Sequence, residues 1–202
     1  PTSSRRQRQM CIRDREGADE ICMLDIDASY EARSTTLETV EKIANQVFIP
    51  FTVGGGIKSV NDVEVLLKTG ADKVSINTSA IINPKLIEEA SREFGSQCIV
   101  VAIDAKFNGK DWSVYTHGGK NKTDLDALSW SKKAEQLGAG EILMTSMDKD
   151  GTKSGFDNIL NQTLADNLNI PLIASGGAGA VSYTNLTLPT RRGVVGWGGG
   201  GG

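Results

Sequence analysis

Hydrophobic and polar positions alternate along the chain in two kinds of segment. Six short apolar runs, rich in Val and Ile and bounded by Gly, Pro or Asp, predict β-strands. They cover residues 21–25, 50–54, 73–77, 98–103, 141–145 and 171–175. Amphipathic stretches with helical spacing separate them and predict α-helices over 36–46, 60–69, 84–94, 125–137 and 159–168. Strands without polar alternation, each followed by a helix, are typical of a parallel sheet covered by helices, either an open doubly wound sheet or a closed barrel.

Two local signals refine this pattern. Asn83 followed by Pro84 predicts the start of a helix, with Asn83 as the capping residue and Pro84 at the first helical position. Asn108-Gly109 is a turn signal, and residues 111–116 after it alternate with a period of two. This combination predicts a β-hairpin inserted in the loop after the fourth strand.

An internal repeat distinguishes a barrel from an open sheet. Three pairs of segments coincide at one shift of 121 residues: 17–21 with 138–142, 49–50 with 170–171, and 53–56 with 174–177. A period of this length, holding about four β-α units, describes half of an eightfold barrel. The predicted fold class is therefore α/β, a TIM (β/α)8 barrel that is incomplete, with six of its eight strands present.

The two ends of the chain differ from the part between them. We expect residues 17–180 to form the partial barrel domain, because the repeat and the strand pattern lie there. Residues 1–16 are basic and lack apolar periodicity, and residues 181–202 end in a run of glycines. We expect both terminal segments to be non-native and to carry no function.

Composition and charge exclude several classes of function. The formal net charge of -3 provides no overall positive field, so we expect neither nucleic acid nor a membrane as a partner. Three cysteines without a C-x-x-C spacing suggest reduced thiols and a cytoplasmic location rather than a zinc site. His117 is the only histidine, which leaves little for a catalytic triad or a histidine-rich metal site. We therefore expect no metal and no cofactor.

Candidate chemistry follows the strands, because the active sites of such barrels lie at the carboxyl ends of the strands. The glycine-rich segments 52–57 and 174–178 free backbone N–H groups to approach an anion. Each alone is a weak signal, since glycines also make tight turns. Related by the repeat, they predict two phosphate sites on opposite sides of the barrel mouth, with further donors from residues 75–78 and 148–152. Together, the two sites predict a small-molecule substrate that carries two phosphates.

Charged residues stand at both ends of the predicted strands. Asp104 directly follows an apolar strand, where burial would raise its pKa above the ordinary 3.9 or so and let it exchange a proton near neutrality. The alternative is that it only caps the next turn. Glu20, Lys73 and Glu141 stand at strand starts. They are either solvated or, if they point inward, form an ion-paired ring across the barrel floor.

Five longer stretches carry a family resemblance: 24–29, 52–57, 72–78, 94–106 and 138–153. They closely resemble the cyclase subunits of imidazole glycerol phosphate synthase, the HisF family of histidine biosynthesis. The similarity runs from about residue 17 to residue 179. The sister isomerases of the HisA family share the half-barrel repeat and the glycine loops, but resemble residues 75–78 and 104–106 less well.

The resemblance implies an enzyme of the lyase class. The family converts ammonia and phosphoribulosyl-formimino-aminoimidazole carboxamide ribotide into imidazole glycerol phosphate and aminoimidazole carboxamide ribotide. Two aspartates serve as general acid and base in the family, and Asp104 matches the second. The first belongs to a strand that would precede Gly17 and is absent from these residues. The fragment alone is therefore expected to be inactive.

Further roles are carried over by position. Residues matching the two phosphate sites are Gly55, Asn77 and Thr78 for one, and Asp150, Gly151, Ser175 and Gly177 for the other. Glu20, Lys73 and Glu141 match three of the four residues of an ammonia gate, and Asp72 matches a docking residue. The implied partner is a HisH-type glutaminase that supplies ammonia in a heterodimer. The alternatives are a HisA-type isomerase, or a non-catalytic fragment that binds phosphate or docks a glutaminase.

Overall fold

The computed structural model describes residues 20–24 and 33–178, with the side chains of 33–36 excepted. The strands in this part of the chain are β1 (Ile21–Leu24), β2 (Phe51–Gly54), β3 (Lys73–Ile76), β4 (Ile99–Phe107), β5 (Trp112–Thr116), β6 (Asn121–Asp126), β7 (Glu141–Ser146) and β8 (Leu172–Ser175). The helices are α1 (Arg33–Ala44), α2 (Val60–Thr69), α3 (Thr78–Ile82), α4 (Lys85–Phe94), α5 (Ala127–Gln136) and α6 (Asn158–Ala165), with a short 3-10 turn at Ser96–Cys98. The segments 1–16 and 181–202, expected to be non-native, lie outside the described residues.

The sheet is mostly parallel. Within the described ranges, six strands pair in parallel in the order β1-β2-β3-β4-β7-β8, and β5 and β6 form an antiparallel hairpin attached to β4. The six predicted strands are confirmed, with boundaries that agree to within one residue except at the end of β4. A helix follows most of the parallel strands, which is the alternation of a (β/α)8 barrel. None of the described helices is long and apolar enough to cross a membrane.

The repeat is reproduced in the register of the strands. Ile21 of β1 lies opposite Phe51 of β2, and 121 residues later Ile142 of β7 lies opposite Leu172 of β8. The backbone bonds at the strand starts also correspond. The N–H of Ile21 donates to the carbonyl of Pro50 at 2.9 Å, and that of Ile142 donates to the carbonyl of Pro171 at 3.0 Å. The two halves therefore share a hydrogen-bonding frame as well as a sequence pattern.

The two faces of the sheet have different environments, because successive side chains of a strand point to opposite faces. On β4, Ile99, Val101 and Ile103 are fully buried in the main core, together with Trp130 of α5. The alternate positions belong to a smaller apolar cluster, composed of Val100, Ala102, Leu143 and Ile173, with Cys22 packed against it. The second cluster occupies the face of the sheet opposite the helices, which is the interior face of a barrel.

A capping box fixes the loop after β2. The Ser59 hydroxyl accepts from the N–H of Asp62, while the Asp62 carboxylate accepts from the N–H groups of Ser59 and Lys58. Three backbone donors at the start of α2 are satisfied in this way, as a helix end requires. Gly70, in the left-handed conformation with φ of 119°, ends the helix. The box holds the glycine-rich segment between β2 and α2 in place.

Two local predictions were wrong, and one helix was missed. Asn83 does not cap α4, because it closes α3 by donating its N–H to the carbonyl of Ser79, and Pro84 takes the cap position without a side-chain bond. α3 itself was not predicted. The helix predicted from residue 125 begins at Ala127, since residues 121–126 form the second strand of the hairpin.

Candidate functional site

The sequence-predicted mouth residues lie at one end of the parallel strands. Because the six strands run in the same direction, residues that end or follow them meet at the same edge of the sheet. The residues in question are Gly55, Asn77, Thr78, Asp104, Asp150, Gly151, Ser175 and Gly177. The structure thus brings these eight positions, Asp104 and the seven phosphate-site residues, to the carboxyl edge.

Asp104 lies within a strand rather than at its end. β4 continues to Phe107, and Asp104 is paired with Thr145 on β7 and with Tyr115 of the hairpin. The prediction that it directly ends the strand was therefore wrong, and a rigid ladder on both sides holds its backbone. Its parity along β4 is that of Val100 and Ala102, which points the carboxylate toward the interior face.

The carboxylate of Asp104 has one direct side-chain partner among the described residues. The Nδ2 amide of Asn77 donates to Oδ2 of Asp104 at 2.9 Å. Burial raises the pKa of Asp104 above its ordinary value, the bond from Asn77 opposes this, and the negative charge of Asp150 adds to the rise. The pKa remains raised overall, so the group is shifted toward the range in which a carboxyl can both hold and release a proton.

Asn77 also holds an acceptor without a partner. Its Oδ1 is buried and has no hydrogen-bond partner in the part of the chain that the structure describes. Buried acceptors are normally satisfied, so this oxygen has the capacity to accept one further hydrogen bond beside Asp104. Sequence reasoning placed Asn77 only in a phosphate site, whereas the structure also makes it the residue that orients Asp104.

The glycine segments after β2 and β8 adopt conformations that favour glycine. Gly55 and Gly56 have φ of 118° and 65°, and Gly176 and Gly177 both have φ of 88°. A Cβ at Gly177 would overlap the carbonyl of Gly155, whose own N–H donates to the Gly177 carbonyl at 2.8 Å. Side chains are excluded at this point, which leaves backbone groups to line the mouth.

The loop after β7 is tied to the base of the hairpin. The N–H of Asp150 donates to the carbonyl of Ser146 at 2.9 Å, and Gly151 follows in the left-handed region with φ of 70°. In the same loop Oδ2 of Asp148 accepts from the N–H of Phe107 at 2.7 Å. This contact was not predicted, because nothing in the local sequence signals a bond across 41 residues.

The opposite end of the strands carries an ion-paired cluster. Lys73 Nζ lies 2.7 Å from Oε1 of Glu141 and 3.0 Å from the carboxylate of Glu20, and Oε1 of Glu20 also accepts from the Thr52 hydroxyl at 2.8 Å. The side chains of Lys73, Glu20 and Glu141 are only 15%, 10% and 16% exposed, respectively. Burial by itself lowers the pKa of Lys73, but the two carboxylates outweigh it and raise the pKa above its ordinary value. Of the two readings of these residues, the structure shows the inward, paired arrangement.

An apolar layer separates this cluster from Asp104. Along β4, Val100 lies opposite Glu141, Ala102 lies opposite Leu143, and Asp104 lies opposite Thr145. Cys22 packs into the same layer, where burial and the nearby charge of Glu20 raise the pKa of its thiol to about 11. The interior face therefore runs from charged to apolar to charged between the floor and the mouth.

Asp72 is exposed at the floor and supports the sheet locally. Its Oδ2 accepts from the N–H of Phe51 at 2.8 Å, and its own N–H donates to the Phe51 carbonyl at 2.9 Å. It also lines a surface cavity of about 400 Å³ whose rim includes Phe48, 60% exposed, and Pro50. Asp72 is thus exposed on the floor, where a partner could reach it, and its carboxylate also fixes the start of β2 through Phe51.

Metal-ligating residues are dispersed. Among residues 20–24 and 33–178, no group of three or more His, Cys, Asp or Glu side chains is arranged to hold a metal ion.

A parallel β/α sheet with a partly buried acid at the carboxyl edge and backbone-lined glycine turns beside it is typical of (β/α)8-barrel enzymes. The sequence profile of the histidine biosynthesis protein family matches residues 8–192, and the chain belongs to that family. Two relatives from Dehalococcoides mccartyi, strains BAV1 and CBDB1, carry the name imidazole glycerol phosphate synthase subunit HisF. Each is 58% identical over 166 residues, which cover 82% of this chain. The matched part spans 66%, just under two thirds, of each relative's length.

Proposed function

We propose that this chain is a cyclase subunit of imidazole glycerol phosphate synthase and acts in histidine biosynthesis. The reaction would join ammonia to phosphoribulosyl-formimino-aminoimidazole carboxamide ribotide and release imidazole glycerol phosphate, aminoimidazole carboxamide ribotide and one water molecule. The observation that carries the proposal is the Asp104 carboxyl, held on a rigid strand at the mouth, bonded to Asn77 and raised in pKa. The name of the relatives supports the choice of reaction.

Asp104 would serve as a general acid and base. Adding ammonia to a carbonyl group and closing an imidazole ring both require protons to move between nitrogen and oxygen. A carboxyl whose pKa lies closer to neutrality than usual performs such transfers efficiently. Asn77 would hold the carboxylate at one orientation, because its amide donates to Oδ2 and leaves Oδ1 of Asp104 for proton exchange with the substrate.

The two phosphates of the substrate would bind on opposite sides of Asp104. Gly55, Asn77 and Thr78 would hold one, through backbone N–H groups and the Thr78 hydroxyl. The other would lie against the loops after β7 and β8, at Asp150, Gly151, Ser175 and Gly177. Glycine turns suit this role because backbone N–H groups can approach a phosphate closely where no Cβ intervenes.

Ammonia would enter from the floor. The cluster of Glu20, Lys73 and Glu141 would act as a gate, and the apolar layer above it favours neutral ammonia over ammonium, because an unpaired charge is costly to desolvate. A HisH-type glutaminase would dock on the floor near Asp72 to form a heterodimer. A biosynthetic heterodimer of this kind, with reduced cysteines, would function in the cytoplasm.

The proposal is tested with a chimaera in which the aligned residues of this chain replace the corresponding segment of a Dehalococcoides relative. The relative then supplies the third of its own length that this chain does not match. With ammonium and the ribulosyl substrate, the chimaera should form imidazole glycerol phosphate. Asp104→Asn should lower its rate by roughly 10² to 10⁴, the usual contribution of a proton-transfer group. Asp124→Asn, at an exposed position on the hairpin, is the matched control and should leave the rate unchanged.

The same assay separates the alternatives. An isomerase of the HisA type would turn over its substrate without ammonia, whereas the proposed cyclase requires it. A fragment that only binds phosphate or docks a glutaminase would retain affinity and show no turnover in the chimaera. Product formation that is unaffected by Asp104→Asn would refute the catalytic role of this residue.

A further inference from the structure

The tip of the hairpin of β5 and β6 contacts Thr78, the residue that begins α3 after β3. Its tip, residues 117–120, is closed by a bond from the N–H of Lys120 to the carbonyl of Thr116 at 3.0 Å. His117, Gly118 and Gly119 have positive φ of 55°, 63° and 81°, which turns the backbone sharply at this point. The N–H of His117 donates to Oγ1 of Thr78 at 2.9 Å, across 39 residues of sequence.

This bond determines what the Thr78 hydroxyl can do. A threonine hydroxyl has one hydrogen to donate and two lone pairs that accept. The N–H of His117 occupies one lone pair, so the hydroxyl hydrogen is directed away from the hairpin. Within residues 20–24 and 33–178, the hydroxyl hydrogen of Thr78 has no acceptor, although the residue is half-buried. It is therefore available to an acceptor oxygen of a ligand.

The tip also touches the loop on the other side of Asp104. A Cβ added at Gly119 would lie 2.8 Å from Cε of Met147, which is in the loop after β7. The N–H of Met147 in turn donates to the carbonyl of Ala105 on β4 at 2.9 Å. The tip thus lies between Thr78 on one side and the loop of Asp150 and Gly151 on the other.

We propose that the hairpin tip is a positioning element for phosphate recognition: the backbone N–H of His117 holds the Thr78 hydroxyl so that its hydrogen donates to an oxygen of a phosphate monoester. His117 is a positioning residue in this scheme, acting through its backbone, and its imidazole is not required. The inference rests on the phosphate site of the proposed function and adds to it the element that sets the site's geometry.

The proposal is tested by recording the NMR chemical shifts of the backbone amides of the 202-residue chain during a titration with sn-glycerol 3-phosphate. The amides of His117 and Thr78 should shift with one common dissociation constant, and the amide of Gly109, in the turn between β4 and β5, should not shift. Thr78→Val should accelerate hydrogen exchange at the His117 amide, whereas Thr78→Ser, which keeps the hydroxyl oxygen, should not.

A matched pair of glycine variants tests the coupling. Gly119 and Gly109 both have positive φ, 81° and 101°, so valine is strained at either position. Gly119→Val strains the tip backbone two residues from His117 and crowds the Cε of Met147, so it should weaken glycerol phosphate binding about tenfold, the equivalent of one hydrogen bond at 1.4 kcal/mol per tenfold change. Gly109→Val, where an added Cβ meets nothing within 4 Å, should change the affinity less than about twofold.

His117→Asn distinguishes the backbone from the ring. Asparagine tolerates the left-handed conformation and keeps the N–H, so phosphate affinity should be retained. Loss of affinity in this variant would make the imidazole the ligand and overturn the proposal, as would equal effects of the two glycine variants or no shift at Thr78 in the unaltered chain. If the NMR and glycine-variant results come out as expected but the cyclase assay fails, only the proposed activity is refuted and the role of the hairpin tip stands.

Discussion

Removing the cation from the floor cluster tests how the ion pairs support the fold. Lys73→Met keeps the length of the side chain and leaves the carboxylates of Glu20 and Glu141 without their shared partner. At N–O separations of 3.0 and 2.7 Å and an effective dielectric constant of about 20, each pair is worth about 5 to 6 kcal/mol before desolvation is subtracted. Breaking a buried pair by removing one partner costs about 3 to 5 kcal/mol net. With side chains that are 10% to 16% exposed, we expect about 3 kcal/mol.

An exposed pair of similar length provides the control. Lys68 lies 2.5 Å from Glu64 on α2, but the two side chains are 74% and 36% exposed. Lys68→Met should therefore lower the free energy of unfolding by less than about 1 kcal/mol, because water screens the pair. Urea denaturation of both variants gives the comparison directly. Equal losses in the two variants would show that burial does not set the strength of the floor cluster.

The pH dependence and a second substitution check the cause. Because the folded-state pKa of Lys73 is raised, its contribution is fully present below the ordinary lysine pKa and is lost as the pH rises through the higher value. The difference between the unaltered protein and Lys73→Met should therefore be constant at neutral pH and shrink in strong alkali. Adding Glu141→Gln to Lys73→Met removes one stranded carboxylate and should restore part of the lost stability.

Three further outcomes follow from the same structure. The raised pKa of Asp104 means that the folded protein binds more protons than the unfolded chain between the ordinary and the raised value, so its stability falls as the pH rises through that window. Asp104→Asn should therefore be the more stable protein at neutral pH in urea melts, with an advantage that shrinks as the pH falls through the window and is gone below the ordinary carboxyl pKa. Cys22, with a pKa of about 11, should react with a thiol reagent at pH 8 at least about a hundredfold more slowly than free cysteine in a background lacking Cys11 and Cys98, and rapid labelling of the folded protein would contradict its placement. Ser59→Ala removes the cap of α2 and should cost about 1 kcal/mol in thermal or urea unfolding, with Ser59→Thr as the conservative control.

The parallel strands could be predicted from the sequence because their signal is local. A run such as Ile99 to Ile103 is apolar at every position, which only a strand buried on both faces requires. The hairpin's second strand could not be found in this way. Residues 121–126 are polar apart from Leu125 and are all exposed or half-buried, and they form a strand because β5 offers them backbone partners. Tertiary pairing, not side-chain pattern, decides their conformation.

The same distinction between local signals and tertiary contacts applies to the candidate site. Asp104 and the glycine turns could be located because each follows or ends an apolar run. The bonds that orient these groups join distant residues, such as Asn77 to Asp104 and His117 to Thr78. A sequence pattern gives the position of a donor along its own strand but not the side chain that a neighbouring element brings to it. His117 in particular carried no local signal, since its backbone rather than its ring makes the contact.

The shared register of the two strand pairs bears on how such a molecule can arise and diversify. A duplicated gene segment that encodes β1–β2 would carry its own hydrogen-bond frame, so that a second copy can be appended with the same strand pairing. The two halves can then acquire different chemistry through changes in the side chains that point to the interior face. Thr52, which donates to Glu20, corresponds in the other half to the apolar Ile173, and Oε2 of Glu141 has no partner within the described residues. Single substitutions on an inherited symmetric backbone are thus sufficient to make the two halves chemically unequal.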